Sequence, residues 1–353
     1  MDRVIKVLVV DDSAYVRKVI KQMLSRSPFI EVVGTARDAE EALELTDHLN
    51  PDVVTLDLIM PGMGGLGFLK RQMAKRPLPV VIVSISAETN QQVLEALDLG
   101  AVDFVQKPSA LATEKIFEMS EELITTVKTA AGIPLNRVGA TPKPAADVPT
   151  KSLVVDNRPI DMIVIGVSTG GPQALKQIIP PLPADYPIPI AIVLHMPTGY
   201  TEMYAKGLAL VSKIQVTEAH ENDELKGGRV LIAQAGRHLT VAKSGRAVVA
   251  HLDARPFDTL HRPSVDVLFR SAAEVFGEKT LGIVMTGMGD DGRDGSAWIK
   301  AKGGTIFGES EETCVVYGMP RCVIEANLAD RIIPLNRMAD ALLEVAYGKG
   351  HGR

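Results

Sequence analysis

Met162-Ile163-Val164-Ile165-Gly166-Val167-Ser168-Thr169-Gly170-Gly171-Pro172 is an apolar run, a glycine-flanked turn carrying a serine, and the approach to a helical stretch beginning near Gln173. A strand that passes through a tight turn directly into a helix is the repeating unit of an α/β chain. The glycines let the backbone turn without steric penalty and leave the serine hydroxyl exposed. Backbone N–H groups at the start of the following helix are placed to stabilise a developing oxyanion. A phosphate or nucleotide loop also uses a Gly-rich strand-to-helix turn. Here the pattern is neither GxGxxG nor a lysine-bearing P-loop, and it fits a nucleophile elbow better.

Outward from this motif the same alternation continues. Met162–Val167, Ile188–Leu194, Gly228–Ile232, Thr280–Thr286 and Gly304–Phe307 read as strands, with Leu239–Ala242 and Ala247–Leu252, split by Ser244-Gly245, as an inserted β-hairpin. Upstream, Val4–Val10, Glu31–Ala36, Asp52–Leu56, Val80–Ser84 and Asp103–Val105 form a second series, with amphipathic segments between them and a last one from Glu114 to Ala130. Between the two series, Pro134, Pro142, Pro144, Pro149 and Pro159 discourage helix and sheet alike. The expected architecture is α/β: an N-terminal doubly wound (βα)5 domain over residues 1–125, a Pro/Ala-rich linker over 126–158, and a C-terminal doubly wound, mostly parallel-sheet (Rossmann-like) domain with a β-hairpin over 159–348.

Bulk properties narrow the function. A net charge of −5 provides no general basic field for nucleic acid, and no apolar stretch approaches the length of a membrane span. The N-terminus leads directly into a strand-like run, so no signal peptide is expected. Cys314 and Cys322, without a second pair to complete a zinc site, point to a reduced, cytoplasmic setting. An aromatic content of 4% argues against a stacking platform for sugars or single strands.

In the N-terminal series Asp11 and Asp12 end the first strand, Asp57 the third and Ser84 the fourth, while Lys107 follows the fifth. In a doubly wound sheet these positions converge at the carboxyl edge. Crowded carboxylates repel unless a cation sits among them, and an all-oxygen set with room for water suits Mg²⁺. Asp57 then reads as a nucleophile toward phosphorus, with Lys107 and the Ser84 hydroxyl for the phosphoryl oxygens. Lys107 precedes Pro108, and a cis bond there would turn the lysine into the site.

Residues 4–125 thus resemble the receiver domain of two-component response regulators, on Val-Asp11-Asp12-Ser, Leu-Asp57-Leu-Ile-Met-Pro61, Ser84 and Lys107-Pro108. The resemblance implies phosphorylation of Asp57, Mg²⁺ bound by Asp11, Asp12, Asp57 and the backbone carbonyl of Ile59, and a switch formed by Ser84, Phe104 and Lys107. Ile85 stands where the family usually has a small residue, and Gly64-Gly65 where it has Asp-Gly.

A serine needs a base to act as a nucleophile. Of the seven histidines, His195 ends the apolar run Ile190–Leu194, whereas His238 and His251 read as packing or surface residues. Gly282–Thr286 runs into Gly287-Met288-Gly289-Asp290-Asp291-Gly292, so either Asp290 or Asp291 is placed to orient the imidazole. The order Ser, His, Asp differs from the Ser, Asp, His of α/β-hydrolases.

Residues from about 159 to 347 resemble the catalytic domain of the chemotaxis protein-glutamate methylesterases (CheB). The motifs are Gly-Val-Ser168-Thr-Gly-Gly, Leu-His195-Met-Pro, Arg262-Pro-Ser-Val-Asp-Val-Leu-Phe269, Thr286-Gly-Met-Gly-Asp-Asp291-Gly and Val316-Tyr-Gly-Met-Pro320. The resemblance implies a catalytic set of Ser168, His195 and Asp291, with Thr169 and Met288 at the oxyanion and substrate region. It departs at Gln234, where proline is usual, and at Gly308-Glu309-Ser310-Glu311, which replaces Ala-Gln-Asp-Glu.

The expectation is a phosphorylation-activated serine hydrolase that demethylates glutamate γ-methyl esters, and deamidates glutamines, on chemoreceptors during sensory adaptation. The partners implied are a methyl-accepting chemoreceptor as substrate and a chemotaxis histidine kinase as phosphodonor. Mg²⁺ serves the receiver alone, with no cofactor for ester hydrolysis. The setting is cytoplasmic, at receptor arrays, without nucleic acid or membrane insertion. The rival readings are a phosphorylation-dependent binding protein, a general small-ester hydrolase and, least favoured, a DNA-binding regulator.

Overall fold

A computed structural model describes residues 3–85, 90–107, 113–134 and 159–348. Pro108 and most of the expected linker lie outside these residues. The chain divides into two compact units, residues 1–141 and 142–353.

The first unit holds β1 (Ile5–Val10), α1 (Ala14–Leu24), β2 (Ile30–Ala36), α2 (Ala39–Leu49), β3 (Val53–Leu56), α3 (Gly64–Lys75), β4 (Val80–Ile85), α4 (Asn90–Asp98), β5 (Asp103–Lys107) and α5 (Thr113–Ala131). Helix starts follow local chemistry: Ser13 and Asp38 accept the N–H of Val16 and Glu41 and so cap α1 and α2. The five strands are parallel in the order β2-β1-β3-β4-β5. The order reverses between β1 and β3, and the crevice beyond the carboxyl ends of those strands is where such sheets bind ligands. Helix α5 continues to Ala131, so residues 126–131, grouped with the linker on sequence, are helical.

The second unit contains β6 (Met162–Val167), α6 (Gly171–Ile178), β7 (Ile190–Leu194), α7 (Thr201–Val211), β8 (Gln215–Glu218), β9 (Arg229–Ile232), β10 (His238–Ser244), β11 (Ala247–Asp253), α8 (Val265–Phe276), β12 (Thr280–Val284), α9 (Arg293–Ala301), β13 (Thr305–Glu309), α10 (Met319–Glu325), β14 (Arg331–Ile333) and α11 (Leu335–Tyr347). A seven-stranded sheet runs β14-β13-β12-β6-β7-β9-β8, with every pairing parallel. β10 and β11 form the antiparallel hairpin expected from Ser244-Gly245. The central strands β6, β7 and β12 are buried along their whole length, as strands covered on both faces must be. One face is covered by α8, whose Val265, Leu268 and Phe269 join Val164, Ala191 and Ile306 in the core. β8 and β14, absent from the sequence reading, are short strands at the two sheet edges. Here too the order reverses beside β6, between β6 and β12.

Candidate active site

The register of the larger sheet sets which side chains meet. Val167 of β6 pairs with Leu194 of β7, and His195 N donates to Val167 O at 3.1 Å. Ser168 and His195 therefore leave adjacent strands side by side. On the other flank Ser168 N donates to Thr286 O at 3.0 Å, which ties the serine turn to the loop after β12. Gly287 makes that approach possible, because a Cβ there would lie 2.7 Å from Ser168 Cβ and collide with Met319 Sδ.

His195 Nε2 lies 2.9 Å from Asp291 Oδ2. Between the two candidate carboxylates the geometry selects Asp291; Asp290 is exposed beside it. Asp291 Oδ2 also accepts Val265 N at 2.8 Å, and Oδ1 accepts Ser264 Oγ and Asp266 N, each at 2.9 Å. Burial pushes this carboxyl up, but His195 and the backbone N–H groups of Asp266 and Val265 together outweigh it and hold the group well below the usual carboxylate range. An ionised carboxylate only accepts, so His195 Nε2 carries a proton, and in the neutral form of the ring the lone pair is on Nδ1. That Nδ1 is buried and makes no hydrogen bond. Ser168 and His195 are neighbours through the pairing of their strands, and a nucleophile–base hydrogen bond commonly forms only once substrate binds. The arrangement has the parts for acyl transfer: a hydroxyl at a strand-to-helix turn and an imidazole held through Nε2 whose Nδ1 makes no hydrogen bond.

The remaining assignments fall around this centre. Thr169 is buried beside the serine, and its carbonyl accepts Thr286 Oγ1 at 2.9 Å. Met288 is half-buried in the loop between Gly287 and Asp291. Glu309, one of the residues that depart from the resemblance, is fully buried at the end of β13 and accepts Thr286 N at 2.9 Å. Gln234 donates to the buried Glu218 at 3.4 Å. His251 is largely exposed on Glu221. His238 is buried, accepts Ser264 N at 3.2 Å on Nδ1 and reaches Pro256 O with Nε2 at 3.0 Å.

Two residues escape the sequence reading. His261 stacks on His195 with ring centroids 4.2 Å apart and planes 24° from parallel. Burial and the neighbouring His195 push it down to about 4, so it is a neutral ring at ordinary pH. Asp266 lies in the first turn of α8, and its Oδ1 accepts Gly292 N at 2.9 Å and Gly295 N at 2.6 Å. Both belong to or abut the run Arg262–Phe269, but no spacing singles them out.

In the first unit Asp11, Asp12 and Asp57 bring ligand oxygens within 4.8 Å of one another. Lys107 Nζ lies 2.6 Å from Asp11 Oδ2 and 2.8 Å from Asp57 Oδ2. Burial, reinforced by Asp57, raises the Asp11 carboxyl despite the Lys107 ammonium. One ammonium against three carboxylates leaves negative charge uncompensated, and an all-oxygen donor set of this kind fits a hard divalent cation. Ile59 is exposed with its N–H 3.4 Å from Asp57 Oδ1. Ser84 is buried near the end of β4, opposite Gln106 of β5, and Phe104 is buried in β5.

Comparison with known proteins agrees with both halves. Residues 163–342 match the family model for CheB methylesterase, and residues 7–119 that for the response regulator receiver domain. A Myxococcus xanthus protein named protein-glutamate methylesterase/protein-glutamine glutaminase 5 is 48% identical over 95% of this chain and 96% of its own. A protein-glutamate methylesterase/protein-glutamine glutaminase of Symbiobacterium thermophilum is 43% identical over 99% of each chain. The crystal structure of the Thermotoga maritima CheB methylesterase catalytic domain, 41% identical, covers 53% of this chain and 98% of its own with a TM-score of 0.52.

Proposed function

The chain belongs to the CheB methylesterase family, with a receiver domain ahead of the catalytic half, and we propose that it is a phosphorylation-regulated protein-glutamate methylesterase and protein-glutamine glutaminase acting on chemoreceptors. The observation that carries this reading is the His195 imidazole, fixed through Nε2 on Asp291 and open at Nδ1, beside Ser168.

Ser168 Oγ attacks the γ-carbonyl of a methylated glutamate while His195 Nδ1 takes its proton. The oxyanion forms over the Ser168–Thr169 turn and the loop bearing Met288, where backbone N–H donors contribute about 2.7–4 kcal/mol each. His195 returns the proton to the leaving methoxide, and methanol departs. Water then attacks the acyl-enzyme, with the imidazole again as base, leaving a glutamate carboxylate. A glutamine substrate follows the same path and releases ammonia. Asp291 keeps the ring in the tautomer that exposes Nδ1.

In the receiver, Asp57 accepts a phosphoryl group from a chemotaxis histidine kinase. Lys107 and Ser84 contact the phosphoryl oxygens, and Phe104 follows the state of Ser84. Asp11, Asp12, Asp57 and the Ile59 carbonyl would hold Mg²⁺, which when bound offsets the phosphoryl charge. Phosphorylation releases the esterase half from restraint. Among the described residues no helix is long and apolar enough to cross a membrane, and the enzyme works in the cytoplasm at receptor arrays.

The test is methanol release from methylated receptor fragments. Wild type releases methanol, and Ser168→Ala releases none while keeping its fold; turnover retained in that variant would remove Ser168 from the mechanism.

A further inference from the structure

Helices α8 and α9 start at the same place and cap one another. Asp291, in the loop before α9, accepts Val265 N and Asp266 N at the start of α8. Asp266, in the first turn of α8, accepts Gly292 N and Gly295 N at the start of α9. The N-cap of α9 is Gly292, which has no side chain to offer, so Asp266 supplies what the local sequence lacks. Backbone donors at two helix starts also make it tolerable for two acids to lie so close.

The helices are in close contact at this point. A Cβ on Gly295 would lie 2.6 Å from Phe269 Cβ and 2.9 Å from Asp266 Cα. The loop bearing Asp291 is therefore held from its downstream end by Asp266 and seated by its own carboxylate on α8. Burial, with the nearby charges of Asp291 and Asp294, pushes Asp266 up to about 7. A proton on its Oδ2 leaves both N–H bonds to Oδ1 intact, so the tie survives a change of charge.

We propose that Asp266 is a positioning residue for the hydrolytic reaction: through Gly292 and Gly295 it fixes the segment that aims Asp291 at His195. The mechanism gives Asp266 no contact with substrate or with the reacting atoms. Its loss lets the 287–292 loop relax, and a displacement of the Asp291–His195 pair by about 1 Å costs on the order of 10²-fold in rate. This inference rests on the hydrolase reading of Ser168, so its test needs a readout that does not depend on the receptor substrate.

That readout is the rate at which a fluorophosphonate labels Ser168 in the full-length chain, measured beside kcat and KM for methanol release. Asp266→Ala should slow labelling by about 10²-fold and lower kcat by a similar factor, with KM within about twofold. Asp266→Asn keeps the Oδ1 acceptor and should restore both rates to within about threefold of wild type. Should the alanine variant fail to fold, Asp266→Ser, too short to hold both N–H groups, should show the same loss. Labelling of the alanine or serine variant at the wild-type rate would overturn the proposal, as would equal damage in Asp266→Asn. Wild type that labels without releasing methanol would count against the receptor-ester reading alone. Wild type that does not label would remove the Ser168 chemistry, and this inference with it.

Discussion

His261 lies flat against His195, ring over ring at 4.2 Å, on the imidazole whose Nε2 is bound to Asp291. A neutral ring stacked on the proposed general base restricts its rotation and shields it from water without adding charge. His261→Ala should therefore lower kcat by about tenfold or more with little change in KM, and His261→Phe should recover most of it. Steady-state methanol release on the two variants checks this, and equal loss in both would deny the stack a role.

The same residue makes stability depend on pH with a definite sign. His261 titrates at about 4 in the folded protein, and His238 is also lowered, burial being the largest cause in each case. Below the unfolded histidine value of about 6.5 the unfolded chain takes up protons that the folded chain refuses. The stabilisation is complete above that value and declines as pH falls toward 4. Urea midpoints between pH 7.5 and 4.5 should fall more steeply for wild type than for His261→Phe; parallel slopes would show that His261 is not held neutral.

Gly287 separates packing from chemistry. Its missing side chain is what allows the β12 loop to lie on Ser168. Gly287→Ala should cost about 1–3 kcal/mol of stability through overpacking and abolish most ester hydrolysis, because the atom displaced carries the hydroxyl proposed as nucleophile. Thermal melts with activity assays read both; an active Gly287→Ala enzyme would mean that the turn adjusts freely.

The two units should respond separately to loss of the proposed phospho-acceptor and of divalent cations. Asp57→Asn should retain basal hydrolysis and lose stimulation by a small-molecule phosphodonor. Chelation of divalent cations should likewise block phosphorylation of wild type and leave unstimulated methanol release unchanged. Equal stimulation of wild type and Asp57→Asn would place the regulatory phosphate elsewhere.

Much of this architecture is written in short apolar runs that end in polar residues. Val7–Val10 before Asp11, Val53–Leu56 before Asp57 and Met162–Val167 before Ser168 declare both the strands and the edge at which chemistry collects, since a buried parallel strand must be apolar until it emerges. Gln215–Glu218 and Arg331–Ile333 escaped because short edge strands carry little apolar pattern and depend on a neighbour for their hydrogen bonds. Helix α5 ends within one residue of the amphipathic segment read to Ala130, so the domain boundary drawn at 125 fell inside that segment.

At the site, residue type and position at a strand end were enough to single out Ser168, His195 and the pair Asp290-Asp291. Between those two acids the motif resemblance already favoured Asp291, and the contact with His195 agrees with it. Stacking His261 on that ring and tying Asp266 to Gly292 and Gly295 depend on how α8 crosses α9 and on where the loop after β11 returns. Chemical identity and local pattern are properties of a few consecutive residues. The aim of a side chain is set by atoms distant along the chain, which only packing brings within hydrogen-bond range.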